Sequence, residues 1–224
     1  MGPEATVDFM AKVIALTPIG EEQDHVRMLV DQNPGVPSRQ QALLGHGDDP
    51  GPVLAAMAAG LEAAGAEFLV MPCNTAHAYA APIRAAVGIP LVSIIDLVID
   101  ACREFQSVGL LSTPGCLQSD LYQQGFAGQD IQVVMPTDDE IDEIMRLVDL
   151  VKKGDRGAGV SSAMCAVARA LIARGAEAVV AACTEIPLVL DSSMLDRPVI
   201  ASTDVLAAAT VAIARGDVPL PTPS

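Results

Sequence analysis

Two cysteines carry the first chemical signal in this sequence. Cys73 heads Cys73-Asn74-Thr75-Ala76-His77, and Cys183 heads Cys183-Thr184-Glu185-Ile186-Pro187. Each follows a short apolar run, Phe68-Leu69-Val70-Met71 in one case and Ala178-Val179-Val180-Ala181 in the other. At such a position the backbone N–H groups opening the next helix or turn favour a thiolate and can also hold a carboxylate. Ligands of parallel α/β sheets bind outside the carboxyl ends of the strands, where both thiols fall. A lone buried Cys is ordinarily a small hydrophobe, the reading for Cys102 and Cys165. A matched pair calls for another explanation.

The match comes from an internal repeat. Residues 61–73 read LEAAGAEFLVMPC and residues 171–183 read LIARGAEAVVAAC, coinciding at seven of thirteen positions with an offset of 110. Ile89-Pro90-Leu91-Val92 with Asp96 resembles Arg197-Pro198-Val199-Ile200 with Asp204, offset by 108. A repeat of about half the chain implies two similar halves facing each other about a pseudo-twofold axis, aiming both thiols at one cleft. In the second half, a strand over 107–112 leads into Thr113-Pro114-Gly115 and a helix containing Asp120. In the first half, Met1-Gly2-Pro3 leads into a helix containing Asp8, offset by 112. The counterpart of that strand would lie before residue 1, so the first half is expected to be one strand short.

The elements that must position these residues alternate. Apolar runs at 68–71, 91–95, 108–111, 131–134, 178–181 and 199–201 are separated by Ala-rich helix patterns such as 52–64, 117–127, 138–153 and 159–174. Continuous apolar strands between helices predict parallel sheets covered on both faces, an α/β protein. The expected division is residues 1–97 with 207–224 as the first half and 98–206 as the second.

Composition narrows the function classes. The chain has 224 residues, 51% hydrophobic and 18% charged, which fits a globular protein with a substantial core. Its net charge of −15 argues against nucleic acid and anionic membrane surfaces as partners. Five cysteines without CxxC or Cys/His spacing argue against a disulfide framework or a metal site and suit a reducing cytoplasm. The N-terminus has no secretory pattern, and no run of eighteen apolar residues suggests a membrane span.

Met71-Pro72-Cys73-Asn74-Thr75-Ala76-His77 and Cys183-Thr184-Glu185-Ile186-Pro187-Leu188 resemble the two signatures of aspartate racemases in the aspartate/glutamate racemase family. Met1-Gly2-Pro3-Glu4-Ala5-Thr6 resembles that family's glycine-rich first loop, and Asn33-Pro34-Gly35-Val36-Pro37-Ser38-Arg39 its substrate loop. The resemblance implies a cofactor-independent racemase of an acidic amino acid, with two pseudo-symmetric α/β domains flanking the active site, usually as a homodimer. It implies Cys73 and Cys183 as catalytic residues. Its expected substrate contacts are Met1, Arg39, Asn74, Thr75, Thr113, Thr184 and a lysine, Lys152 rather than Lys153. His77 and Glu185 would stand behind the thiols, and His25 and His46 would be solvated.

Inverting a stereocentre needs a base on one face and an acid on the other, which two opposed thiols provide. Each sulfur must come within about 3–3.5 Å of the carbon, leaving the sulfurs roughly 6–7 Å apart rather than bonded. A guanidinium binds a carboxylate bidentately, which suits Arg39 to the substrate. The chain departs from the family pattern at Cys116, where Thr is common, and at Ala182, where Gly often precedes the second Cys. Other readings remain open: an acidic amino-acid-binding protein without catalysis, a hydantoin racemase or maleate isomerase relative, or a thiol-redox protein.

Overall fold

Six short strands, ten α-helices and four short 3-10 helices make up the computed structural model, which describes residues 2–222. In chain order the α-helices and strands are α1 (Pro3–Leu16), α2 (Arg39–Leu43), α3 (Gly51–Ala63), β1 (Leu69–Val70), α4 (Ala80–Ala86), β2 (Leu91–Val92) and α5 (Ile94–Ala101). Then come β3 (Ser107–Leu111), α6 (Pro114–Gln118), α7 (Leu121–Ala127), β4 (Gln132–Val134), α8 (Asp138–Lys152), α9 (Ala158–Ala173), β5 (Ala178–Ala181), β6 (Val199–Ala201) and α10 (Ser202–Ala214). β1 and β2 pair in one parallel sheet, and a second runs β4-β3-β5-β6, also parallel throughout. The chain is therefore α/β with two parallel-sheet units.

The register carries the repeat into three dimensions. Leu69 lies opposite Leu91, and Val179 opposite Val199, at the sequence offsets of 110 and 108. The helices preceding β1 and β5 both end near a glycine with positive φ, Gly65 at 94° and Gly175 at 106°. A side chain would be strained there, so glycine closes the helix–strand joint in both halves.

Side chains of the larger sheet alternate between two cores, as pleating requires. Val108, Leu110, Ala178 and Val180 join Tyr122, Phe126 and Leu206, while Leu111, Val179 and Ala181 join Leu147, Val151 and Leu171. Burying an apolar side chain stabilises by about 1.5–3 kcal/mol, so strands apolar on both faces need helices on both sides. A third core packs Leu54 and Ala58 of α3 against Leu69, Met71 and Ile83.

Three local expectations are corrected. The strand expected over 91–95 stops at Val92, because the Ser93 side chain accepts Asp96 N–H and caps α5. The helix expected over 117–127 is two helices, broken at Asp120 with φ of 58°. Arg39 begins α2 rather than ending a loop, with the Ser38 side chain capping that helix.

Candidate active site

Both cysteines stand just past strand ends, Cys73 after β1 and Cys183 after β5, and all five cysteines are free. Cys183 is buried, and its Sγ–H donates to Glu185 Oε2 at 3.1 Å. Thr184 donates its hydroxyl to the same oxygen at 3.1 Å. Burial pushes the Cys183 thiol well above the usual range, and the charge of Glu185 pushes it further; Glu185 N–H and Lys152 oppose them.

Cys73 has a different setting. Burial raises its thiol too, but the Arg39 guanidinium and the Ala76 N–H pull the other way. The charge of Glu185 also reaches Cys73, so one carboxylate influences both thiols. Arg39 donates through Nη1 to the carbonyls of Val36 at 3.2 Å and Pro37 at 2.9 Å, while its buried Nε has no partner among the described residues. Nη1 is thereby occupied, and the Nε and Nη2 donors remain for an incoming carboxylate.

The halves are pinned together around the thiols. Thr75 and Thr113, buried at the start of α6, share a hydroxyl–hydroxyl hydrogen bond of 3.2 Å. Asn74 is 2% exposed; its Oδ1 accepts Tyr122 O–H at 2.6 Å and its Nδ2 donates to Ser202 Oγ at 2.9 Å. His77 directs its ring at backbone: Nδ1 meets Cys73 O at 2.9 Å, and Nε2 accepts Ile94 N–H at 3.2 Å. Burial lowers its pKa to about 4, so the imidazole is neutral near neutral pH. Gly2 closes the other side, where an added Cβ would stand 2.8 Å from Glu185 Oε1.

A family model described as Asp/Glu/Hydantoin racemase matches residues 1–210. The chain belongs to this racemase family. It is similar to the broad specificity amino-acid racemase RacX of Bacillus subtilis (strain 168), 28% identical over 216 residues that cover 94% of this chain and 93% of that protein. The solved aspartate racemase of Picrophilus torridus is 28% identical with a TM-score of 0.83, over 96% of this chain and 90% of that one. An aspartate racemase homologue from Pyrococcus horikoshii OT3, 23% identical with a TM-score of 0.77 over 95% of each chain, shares the fold.

Within this racemase-family chain, the expected site residues divide. The fold brings Cys73 to Arg39, Thr75 to Thr113, and Cys183 and Thr184 to Glu185, whose charge also reaches Cys73. Lys152 is exposed at the end of α8, but its charge acts on Cys183; no such effect is found for Lys153. The side chain of Asn74 is held by Tyr122 and Ser202, so only its backbone is available to a ligand. His77 holds the Cys73 carbonyl rather than the thiol. Met1 lies outside the described residues. His46 is exposed as expected, whereas His25 is half-buried, its Nδ1 without a partner among the described residues, because it lines a groove beside α1. Sequence reasoning missed Tyr122, Ser202 and Gln40, whose Oε1 accepts Gly115 N–H at 3.0 Å and ties α2 to α6. The scarcity of tyrosine, two in a chain only 3% aromatic, was the signal available for Tyr122.

Proposed function

We propose that this chain racemises an acidic amino acid, aspartate foremost, without pyridoxal phosphate, by a two-base reaction with Cys73 and Cys183 on opposite faces of Cα. The carrying observation is the matched position of the two thiols beside opposite charges, Arg39 at Cys73 and Glu185 at Cys183. In one direction the Cys73 thiolate removes the Cα proton, and the electron pair passes into the substrate carboxylate. The Arg39 guanidinium and nearby N–H groups stabilise that charge. Cys183 S–H then delivers its proton to the opposite face, leaving Cys73 as thiol and Cys183 as thiolate. The reverse reaction runs from that state. Thr75, Thr113, Thr184, the backbone of Asn74, Met1 and Lys152 complete the substrate contacts. The halves that close on the substrate are residues 1–97 with 207–224 and residues 98–206, in a cytoplasmic homodimer.

The similarity to a broad specificity amino-acid racemase of Bacillus subtilis supports testing beyond aspartate. Each enantiomer of aspartate and glutamate is incubated with the chain in deuterium oxide, without added cofactor. Loss of optical rotation with deuterium at Cα, abolished by Cys73→Ser and by Cys183→Ser, is the expected result. Binding of aspartate without exchange would overturn the catalytic reading and leave an amino-acid-binding protein.

A further inference from the structure

α2 is a helix of five residues without one buried side chain, yet it begins with Arg39 and sets that guanidinium beside Cys73. A helix so short cannot hold itself in water, so its place comes from what it packs on, α6 and the 3-10 turn Thr75–Tyr79. The Nη1 bonds of Arg39 to Val36 and Pro37 fix the guanidinium within its own loop, not against the thiol. The approach of Arg39 to Cys73 aside, one hydrogen bond among the described residues leaves the stretch 36–48. In it Gly115 N–H donates to Gln40 Oε1 at 3.0 Å.

Both partners are shaped for this contact. Thr113 stands at the N-cap of α6, but its hydroxyl is shared with Thr75 and caps nothing. An N-cap side chain ordinarily accepts an N–H two or three positions on, and two positions on is Gly115. Gln40 makes that bond from another element. Gly115 leaves room for it, since an added Cβ would stand 2.7 Å from Gln40 Oε1 and 3.2 Å from Gln40 Cα. The glycine serves the close approach of α2 rather than its own backbone angles.

These contacts close a ring. Thr75, two residues past Cys73, bonds to Thr113, and Thr113 and Gly115 belong to one turn. Gly115 bonds to Gln40, and Gln40 follows Arg39, whose guanidinium returns to Cys73. The thiol and its cation are therefore both placed by the same turn of α6. We propose, on the racemase reading above, that Gln40 is a positioning residue, setting Arg39 against Cys73 and the substrate carboxylate by gripping Gly115.

Two variants break the grip from opposite sides. Gln40→Met keeps the length of the side chain and removes its acceptor, whereas Gly115→Ala keeps the acceptor and crowds it. Burial raises the Cys73 thiol; of the charged side chains acting on it, Arg39 lowers it and Glu185 raises it, and Cys116 is a second thiol within reach of its charge. Iodoacetamide labelling of Cys73 across pH, read by peptide mass spectrometry, gives the midpoint of thiolate formation whatever the access to the sulfur. Withdrawing a cation from its side should raise that midpoint by about one pH unit in both variants, as in Arg39→Gln. In the Arg39→Gln background, Gln40→Met should move it no further. In turnover, Gln40→Met should raise KM for aspartate and lower kcat/KM by about 10–100-fold, with the thermal midpoint lower by only about 1–6 °C. A labelling midpoint unmoved by both variants, or moved as far with Arg39 already gone, overturns the proposal. Labelling needs no turnover, so a chain whose midpoint moves as expected but which does not racemise keeps Gln40 as the grip on Arg39 and overturns the racemase reading instead.

Discussion

The contacts of Asn74 make the sharpest separation between a structural and a substrate-binding role. Tyr122 and Ser202 are each 0% exposed, and Asn74 bonds to both within the interior. Burial holds the Tyr122 phenol well above its usual range, so it remains a donor at any working pH. Tyr122→Phe deletes that donor and leaves Asn74 Oδ1 buried without a partner, a cost of about 1–3 kcal/mol. For a chain of this size each kcal/mol lowers the thermal midpoint by roughly 2–4 °C, so the drop should be about 2–12 °C. Asn74→Ala strands both Tyr122 O–H and Ser202 Oγ and should cost more, on the order of 2–5 kcal/mol. Calorimetry or denaturant unfolding of the single variants and the double variant closes the cycle. The double variant should be less destabilised than the sum of the singles by about 1–2 kcal/mol, because Tyr122 has no partner left to lose once Asn74 is gone. In kinetics, Tyr122→Phe should lower kcat through the neighbouring Cys73 loop. If Asn74→Ala instead raised KM alone and left stability intact, the side chain would be a substrate contact and the reasoning would fail.

Other outcomes follow from the same contacts. The His77 pKa falls from 6.5 to about 4, so the unfolded chain binds the proton first as pH drops. His77 therefore adds stability that is fully present above pH 6.5 and is lost as pH falls from 6.5 to about 4, about 3 kcal/mol in all; denaturant unfolding across this range should lose that dependence in His77→Gln. Glu185→Gln removes a charge that, after burial, raises the Cys183 thiol. Faster iodoacetamide labelling of Cys183, read by peptide mass spectrometry, should accompany a racemase rate lowered by about 10²–10⁴. Gly2→Ala puts a Cβ 2.8 Å from Glu185 Oε1, so the carboxylate must shift; kcat should fall by roughly one to two orders of magnitude with the thermal midpoint little changed.

What could be read from the sequence was what is encoded locally or twice. The Gly-Ala-Glu joint before each cysteine recurs because both halves need glycine at positive φ between helix and strand. That repetition located β1, β5 and the two thiols. The break at Asp120 was not readable, since an αL residue inside a helical pattern leaves little mark in the side-chain pattern. The strand expected at 91–95 overran because Ser93 reads as a strand residue until its side chain is seen capping α5. The link between Asn74 and Tyr122 spans 48 residues and depends on tertiary packing alone. The cation at Cys73 was beyond reach for the same reason, since Arg39 meets Cys73 only because α2 folds against the site, whereas Glu185 lies two residues from Cys183 and was expected behind it.

The repeat makes the two backbones equivalent, but the charges beside them are opposite, and that difference bears on the proposed reaction. Cys73 has a cation and a helix-opening N–H at hand, whereas Cys183 donates to a buried carboxylate. Burial raises both thiols, but Cys183 is raised further, so its proton is held more firmly than that of Cys73, which is the readier of the two to act as base. This asymmetry cannot favour one product. Enantiomers free in solution have equal energy, so the equilibrium constant is one and kcat/KM must be the same in both directions at every pH. The unlike neighbours instead set which enantiomer the resting protein can turn over at once, and which must wait for protons to be redistributed between the thiols. A single-turnover experiment in deuterium oxide reads this directly. One enantiomer should exchange in a burst, and the other should lag by the time needed to move a proton from Cys183 to Cys73. Equal bursts from both enantiomers would mean that Arg39 and Glu185 do not set the resting state.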